Sequence, residues 1–141
     1  MLDETEAGTI LMARHRIAVI DDDTSVRNAL RRLFRCADHD AKSYESGREF
    51  LNDLEHQVPD CLVLDLHMPE MSGIELQKHL LAHGFDLPCV MITGHDEEGS
   101  KEASLAAGAS RYLRKPIDET TLLQAVDQAI ATSMHRKVTS L

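Results

Sequence analysis

Cys61-Leu62-Val63-Leu64-Asp65-Leu66-His67-Met68-Pro69-Glu70-Met71-Ser72-Gly73 runs from an apolar strand through a Pro/Gly-punctuated loop to a helix start. A second apolar run, Ile17-Ala18-Val19-Ile20, also ends in acid, Asp21-Asp22-Asp23. Open α/β folds place their chemistry at the carboxyl ends of parallel strands, so two strands discharging carboxylates there predict one shared acidic pocket.

Outward from these two runs, five short apolar stretches alternate with five segments of helical period. That alternation is the pattern of a doubly wound parallel sheet with helices on both faces, an α/β fold. Strands are predicted near residues 16–20, 39–44, 61–65, 88–92 and 110–113. Asp40-Ala41-Lys42-Ser43-Tyr44 is polar and carries a lysine, which suits an exposed edge, whereas Val90-Met91-Ile92 reads as a central strand.

Val26, Leu30, Leu33 and Phe34 recur at helical spacing, with Asp23 or Thr24 available to cap the open amides. Ser46 with Glu49 and Ser72 with Glu75 have the spacing of capping boxes. The last helix carries Leu122, Val126, Ala129 and Ile130 on one face and is expected to give way to a polar tail over 132–141. Residues 1–14 read as a flexible leader, leaving 15–131 as the single folded domain. The fourth helix, expected over Glu97 to Ala107, has Gly99 in its first turn and charges where an apolar face would sit, which makes it a weak helix and a poor dimer surface.

Composition narrows the function. The 141 residues carry 24 acidic against 15 basic side chains, a net charge of −9 that repels nucleic acid phosphates and favours cations or basic protein surfaces. No direct nucleic acid partner is expected. The three cysteines are odd in number, and Cys61 and Cys89 sit in apolar runs, as reduced thiols of a cytoplasmic protein would. The acidic first residues and the brief stretch Ile10-Leu11-Met12-Ala13 match neither a signal peptide nor a membrane span.

Asp21, Asp22 and Asp65 would crowd like charges into one cleft, which raises at least one pKa or requires a cation. Carboxylates without His or Cys ligands suit Mg2+ better than zinc. Asp23 lies beyond the strand and reads as a helix cap. Thr93 follows Val90-Met91-Ile92 and precedes Gly94, so its hydroxyl and an open backbone emerge at the same mouth, where they could satisfy phosphoryl oxygens. Lys115, after Tyr112-Leu113-Arg114 and before Pro116, could neutralise the carboxylates. Taken singly, Thr93 reads as an ordinary helix or turn residue, Lys115 as a solvated surface charge and Tyr112 as half-buried packing.

Asp21-Asp22, Asp65 with Met68-Pro69 and Gly73, Thr93-Gly94, and Tyr112-Leu113-Arg114-Lys115-Pro116 together resemble, in order and spacing, the receiver domain of two-component response regulators. The resemblance covers about residues 15–131, and Thr93-Gly94-His95 is similar to the branch that regulates nitrogen fixation. It implies the flavodoxin-like strand order 2-1-3-4-5. It also implies that Asp65 accepts a phosphoryl group from a sensor histidine kinase or phosphotransfer protein. Mg2+ would be held by Asp22, Asp65 and the His67 backbone carbonyl, with Asp21 acting through water. Asp65, Lys115 and Thr93 would carry the chemistry. Thr93 would swing to the phosphoryl group and Tyr112 would follow into the vacated space, reshaping a surface for a downstream protein target. The resemblance also makes Lys115-Pro116 a candidate cis bond, although sequence alone favours trans. The His67 side chain reads either as a group that tunes phosphoryl loss or as a solvent-facing histidine.

Such a chain is a binding module rather than a turnover enzyme. Three other readings stay open. Asp21-Asp22-Asp23-Thr24 resembles the nucleophile loop of haloacid-dehalogenase-type phosphatases, with Asp21 as nucleophile and Asp23 as acid/base, but it leaves Asp65 without a role. A flavin protein of the same topology lacks a Ser/Thr/Gly-rich phosphate loop after the first strand. A receiver used only for docking would need none of these groups.

Overall fold

A computed structural model describes residues 14–139. Five strands, β1 (Arg16–Ile20), β2 (Asp40–Tyr44), β3 (Cys61–Asp65), β4 (Cys89–Thr93) and β5 (Arg111–Arg114), form one parallel sheet in the order β2-β1-β3-β4-β5. Five helices connect and follow them: α1 (Thr24–Cys36), α2 (Gly47–Leu54), α3 (Gly73–Ala82), α4 (Ser100–Ala106) and α5 (Glu119–Thr139). The flavodoxin-like doubly wound fold expected from the sequence is the one observed.

Every residue of β3 and β4 is buried, while β2 alternates exposed and half-buried residues before Tyr44, as its edge position demands. The pleat sends alternate strand residues to opposite faces. Ile17, Val19, Val63, Val90 and Ile92 meet Leu30 and Phe34 of α1 and Leu122, Val126 and Ile130 of α5 on one face. Ala18, Ile20, Leu62, Leu64 and Met91 meet Phe50 of α2 and Leu76 and Leu80 of α3 on the other.

Asp23 is the N-cap of α1, its carboxylate accepting from the Ser25 and Val26 amides. Ser72 and Glu75 form a complete capping box on α3. At α2 only half of the expected box exists: Ser46 Oγ accepts from the Glu49 N–H at 3.1 Å, but Glu49 turns to the Glu45 N–H.

Two helix boundaries differ from expectation. The helix predicted from Glu97 begins only at Ser100, because Gly99 takes the left-handed conformation (φ 84°) and serves as an N-cap without a side-chain bond. The tail predicted from residue 132 is helical through Thr139. The polar run contains no Gly or Pro stop, and Ser133 continues the buried stripe of Ala129 and Ile130. The predicted leader falls, up to residue 13, outside the described residues. Among the described residues no helix is long and apolar enough to cross a membrane.

Candidate functional site

Four chain segments converge at the carboxyl ends of the strands. β1 stops at Ile20, and the turn into α1 leaves Asp21 fully buried with its Oδ1 accepting the Asp23 N–H at 2.9 Å. Arg27 of α1 holds the same turn by donating to the Asp21 carbonyl at 2.7 Å. Asp65 is the last residue of β3 and only 3% exposed. The loop behind it is fixed by Gly73, whose N–H donates to the Leu66 carbonyl at 2.9 Å. A Cβ on Gly73 would lie 2.6 Å from the Asp65 carbonyl oxygen and 2.7 Å from Met91 Sδ, so the motif glycine is the only residue this crossing admits.

Asp21, Asp22 and Asp65 each place a carboxylate oxygen within 4.8 Å of the others, with Asp22 exposed and the other two buried. Lys115 enters from beyond β5, where its N–H bonds the Thr93 carbonyl at 2.7 Å, and the Lys115-Pro116 peptide is cis. Its ammonium stands 2.8 Å from Asp21 Oδ2 and 3.7 Å from Asp65 Oδ1. A Cβ on Gly94 would just touch the lysine stem, at 3.4 Å.

One ammonium does not balance three carboxylates. Burial, the Asp21 charge and a hydrogen bond with Asp22 push the Asp65 carboxyl up to about 7, against the opposing pull of Lys115 and the His67 backbone N–H. Burial works against the Lys115 charge, but its bond and charge contacts with Asp21, and then Asp65 and Asp23, outweigh it and hold its pKa above the ordinary value. Asp21 Oδ2 is buried and met by the Lys115 ammonium. An all-carboxylate donor set with more negative charge than one ammonium balances, open to solvent at Asp22, fits a hard divalent cation.

The other expected residues sit at the same mouth but are tied elsewhere. Thr93 is 1% exposed, and its hydroxyl donates to the His95 carbonyl at 2.9 Å while accepting the His95 N–H at 3.0 Å. The His67 side chain is exposed, as the solvent-facing reading expects, with Nε2 3.0 Å from the same carbonyl. Tyr112 is already 9% exposed and donates its hydroxyl to Asp96 Oδ1 at 2.6 Å. Burial, then this bond and the Asp96 charge, push its phenol up to about 12. Asp23 caps α1 through its Oδ1, as expected. Asp96 and Arg27 were not singled out from the sequence. Asp96 had a signal, since it lies three residues past Thr93 at the same strand end, whereas nothing local marks Arg27.

Residues 17–127 match the family described as the response regulator receiver domain. The chain is a receiver domain of that family. The response regulator protein TmoT of Ectopseudomonas mendocina is 36% identical over 86% of this receiver and 55% of its own length. A solved structure of the response regulator StyR is 39% identical with a TM-score of 0.79, covering 91% of this chain and 65% of that one. A response regulator receiver protein from Burkholderia phymatum is 42% identical with a TM-score of 0.73, covering 82% and 94%. None of the three singles out the nitrogen-fixation branch. The receiver spans about half the length of the curated relatives it matches. Response regulators work in two-component systems with histidine kinases, and this chain has the fold and the acidic pocket of that class.

Proposed function

We propose that Asp65 accepts a phosphoryl group from the phosphohistidine of a sensor histidine kinase or phosphotransfer protein, in a Mg2+-dependent reaction, and that the phosphorylated domain presents an altered surface to a downstream protein. The observation that carries this reading is the buried Asp65 carboxylate set between Asp21, Asp22 and Lys115. An Asp65 oxygen forms the new P–O bond as the P–N bond breaks. The electron pair leaves on the imidazole nitrogen, which ends neutral.

Asp21, Asp22 and Asp65, with the His67 backbone carbonyl, would hold Mg2+. Bound there, the ion would neutralise carboxylate charge and stabilise charge on the transferring oxygens. Lys115 supplies a second positive charge from the protein itself, and Asp21 orients it. Thr93 can meet a phosphoryl oxygen only by leaving His95, so its hydroxyl is the group through which the phosphoryl state reaches the rest of the fold. The chain would then act as a phosphorylation-controlled binding module in the cytoplasm. It would catalyse only its own phosphorylation and hydrolysis, with no direct nucleic acid or membrane partner.

Intact-mass spectrometry after exposure to acetyl phosphate and Mg2+ tests the reading. One labile phosphate is expected on the wild type and none on Asp65→Asn. Phosphate retained by Asp65→Asn would sink it.

A further inference from the structure

The β4–α4 loop grips two other segments through two consecutive residues. The His95 carbonyl accepts from the Thr93 hydroxyl at 2.9 Å and lies 3.0 Å from His67 Nε2, which must carry the hydrogen because a carbonyl only accepts. The next residue, Asp96, spends both carboxylate oxygens on β5: Oδ1 on the Tyr112 hydroxyl at 2.6 Å and Oδ2 on Arg114 Nε at 2.6 Å. Residues two apart on a strand point to the same face, so one carboxylate can hold both.

Resting on the reading of Asp65 as phosphoacceptor and Thr93 with Tyr112 as its switch, we infer that Asp96 is a positioning residue that makes the β4–α4 loop and the end of β5 move as one unit. A tyrosine that moves only by filling space left by Thr93 must start outside. Here the ring already lies in the buried cluster with Ala109 and Met91, so little of that motion is left to it. The carboxylate offers a direct route instead. When Thr93 turns to a phosphoryl oxygen it gives up both bonds to His95. The planar peptide joining His95 to Asp96 passes that displacement to the carboxylate. Charge-assisted bonds then draw Tyr112 and Arg114 along. Arg114 precedes Lys115, whose ammonium faces Asp65, so the linkage closes on the phosphorylation site. The Arg114 contact is solvent-exposed and contributes little alone, which leaves the part-buried Tyr112 bond as the stronger link.

Fluorotyrosine incorporation into the full chain tests this, because Tyr44 and Tyr112 are its only tyrosines and Tyr112→Phe assigns the signals. The 19F spectrum is recorded with Mg2+ before and after acetyl phosphate, and intact mass gives the phosphate content of the same samples. In the wild type the Tyr112 signal is expected to shift on phosphorylation while Tyr44, bonded to Asp53, stays put. Asp96→Ala should carry phosphate and lose that shift about fivefold or more. Asp96→Asn, which keeps the shape and an acceptor oxygen, should be intermediate, an ordering that a merely structural role would not produce. A wild-type-sized Tyr112 shift in phosphorylated Asp96→Ala or Asp96→Asn overturns the inference while leaving the phosphoacceptor reading intact. A wild type that takes no phosphate removes both.

Discussion

The two ends of the sheet handle buried polar groups in opposite ways. At the amino ends, His39 is 7% exposed but kept neutral: its Nδ1 accepts the His15 N–H at 3.2 Å, its ring stacks on His15, and burial pushes its pKa below the ordinary value. Beside it, Asp60 exchanges bonds with the Arg16 backbone in both directions, at 2.7 and 2.8 Å. Both groups have a partner suited to their charge. At the carboxyl ends, Asp21 and Asp65 share one lysine with Asp22 beside them, and a buried carboxyl is driven toward neutrality. An excess of like charge is costly to keep, and it persists where a cation or a phosphoryl group has a use for it.

The largest effect should come from the crowding that builds the carboxyl end. Gly73→Ala is expected to destabilise the domain by about 3 kcal/mol, since its Cβ meets backbone that cannot step aside. Denaturant unfolding measures this, and a loss below about 1 kcal/mol would mean that the helix start has room to slide. Next comes the cation. At a free Mg2+ concentration about a hundred times its Kd, the melting temperature should rise by about ten degrees, and Asp22→Ala should lose most of that gain. No metal-dependent shift in calorimetry would erase the difference between the two ends.

The ends should also respond to pH with opposite sign when no metal is added. The Asp65 carboxyl has its pKa raised from 3.8 to about 7 in the fold. The stability it contributes is therefore full below about pH 4 and lost as pH rises through about 7. His39 is lowered from 6.5, so its contribution is present above pH 6.5 and lost as pH falls through the depressed folded value. Melting curves across pH should show Asp65→Asn flattening the upper limb and His39→Gln the lower one. The same variant flattening both limbs would contradict the separation. The smallest effect is expected from Asp60→Ala, about 1 kcal/mol of stability with the Mg2+ response unchanged.

Most of the fold was legible because its signals are local. Apolar runs of strand length, helical spacing such as Val26-Leu30-Leu33-Phe34, and the Ser72/Glu75 box act within a few residues, and each matched its element. The failures were local signals overruled by packing or backbone geometry. Ser46 and Glu49 had the box spacing, yet Glu49 found Glu45. Gly99 became a cap rather than a first-turn residue, and α5 ran on past the point where its sequence turned polar.

The site divides in the same way. By itself the sequence determined that Asp21, Asp22, Asp65, Thr93 and Lys115 gather at one end of the sheet, because a strand's last residue and the turn after it must emerge at the same edge as those of its parallel neighbours. Only the tertiary structure decided that Lys115 lies nearer Asp21 than Asp65, that Thr93 faces His95, and that Tyr112 rests on Asp96. Those choices turn on ångström differences between groups far apart in the chain. Spacing along the sequence carries no information at that scale, whereas burial and charge in the packed domain do.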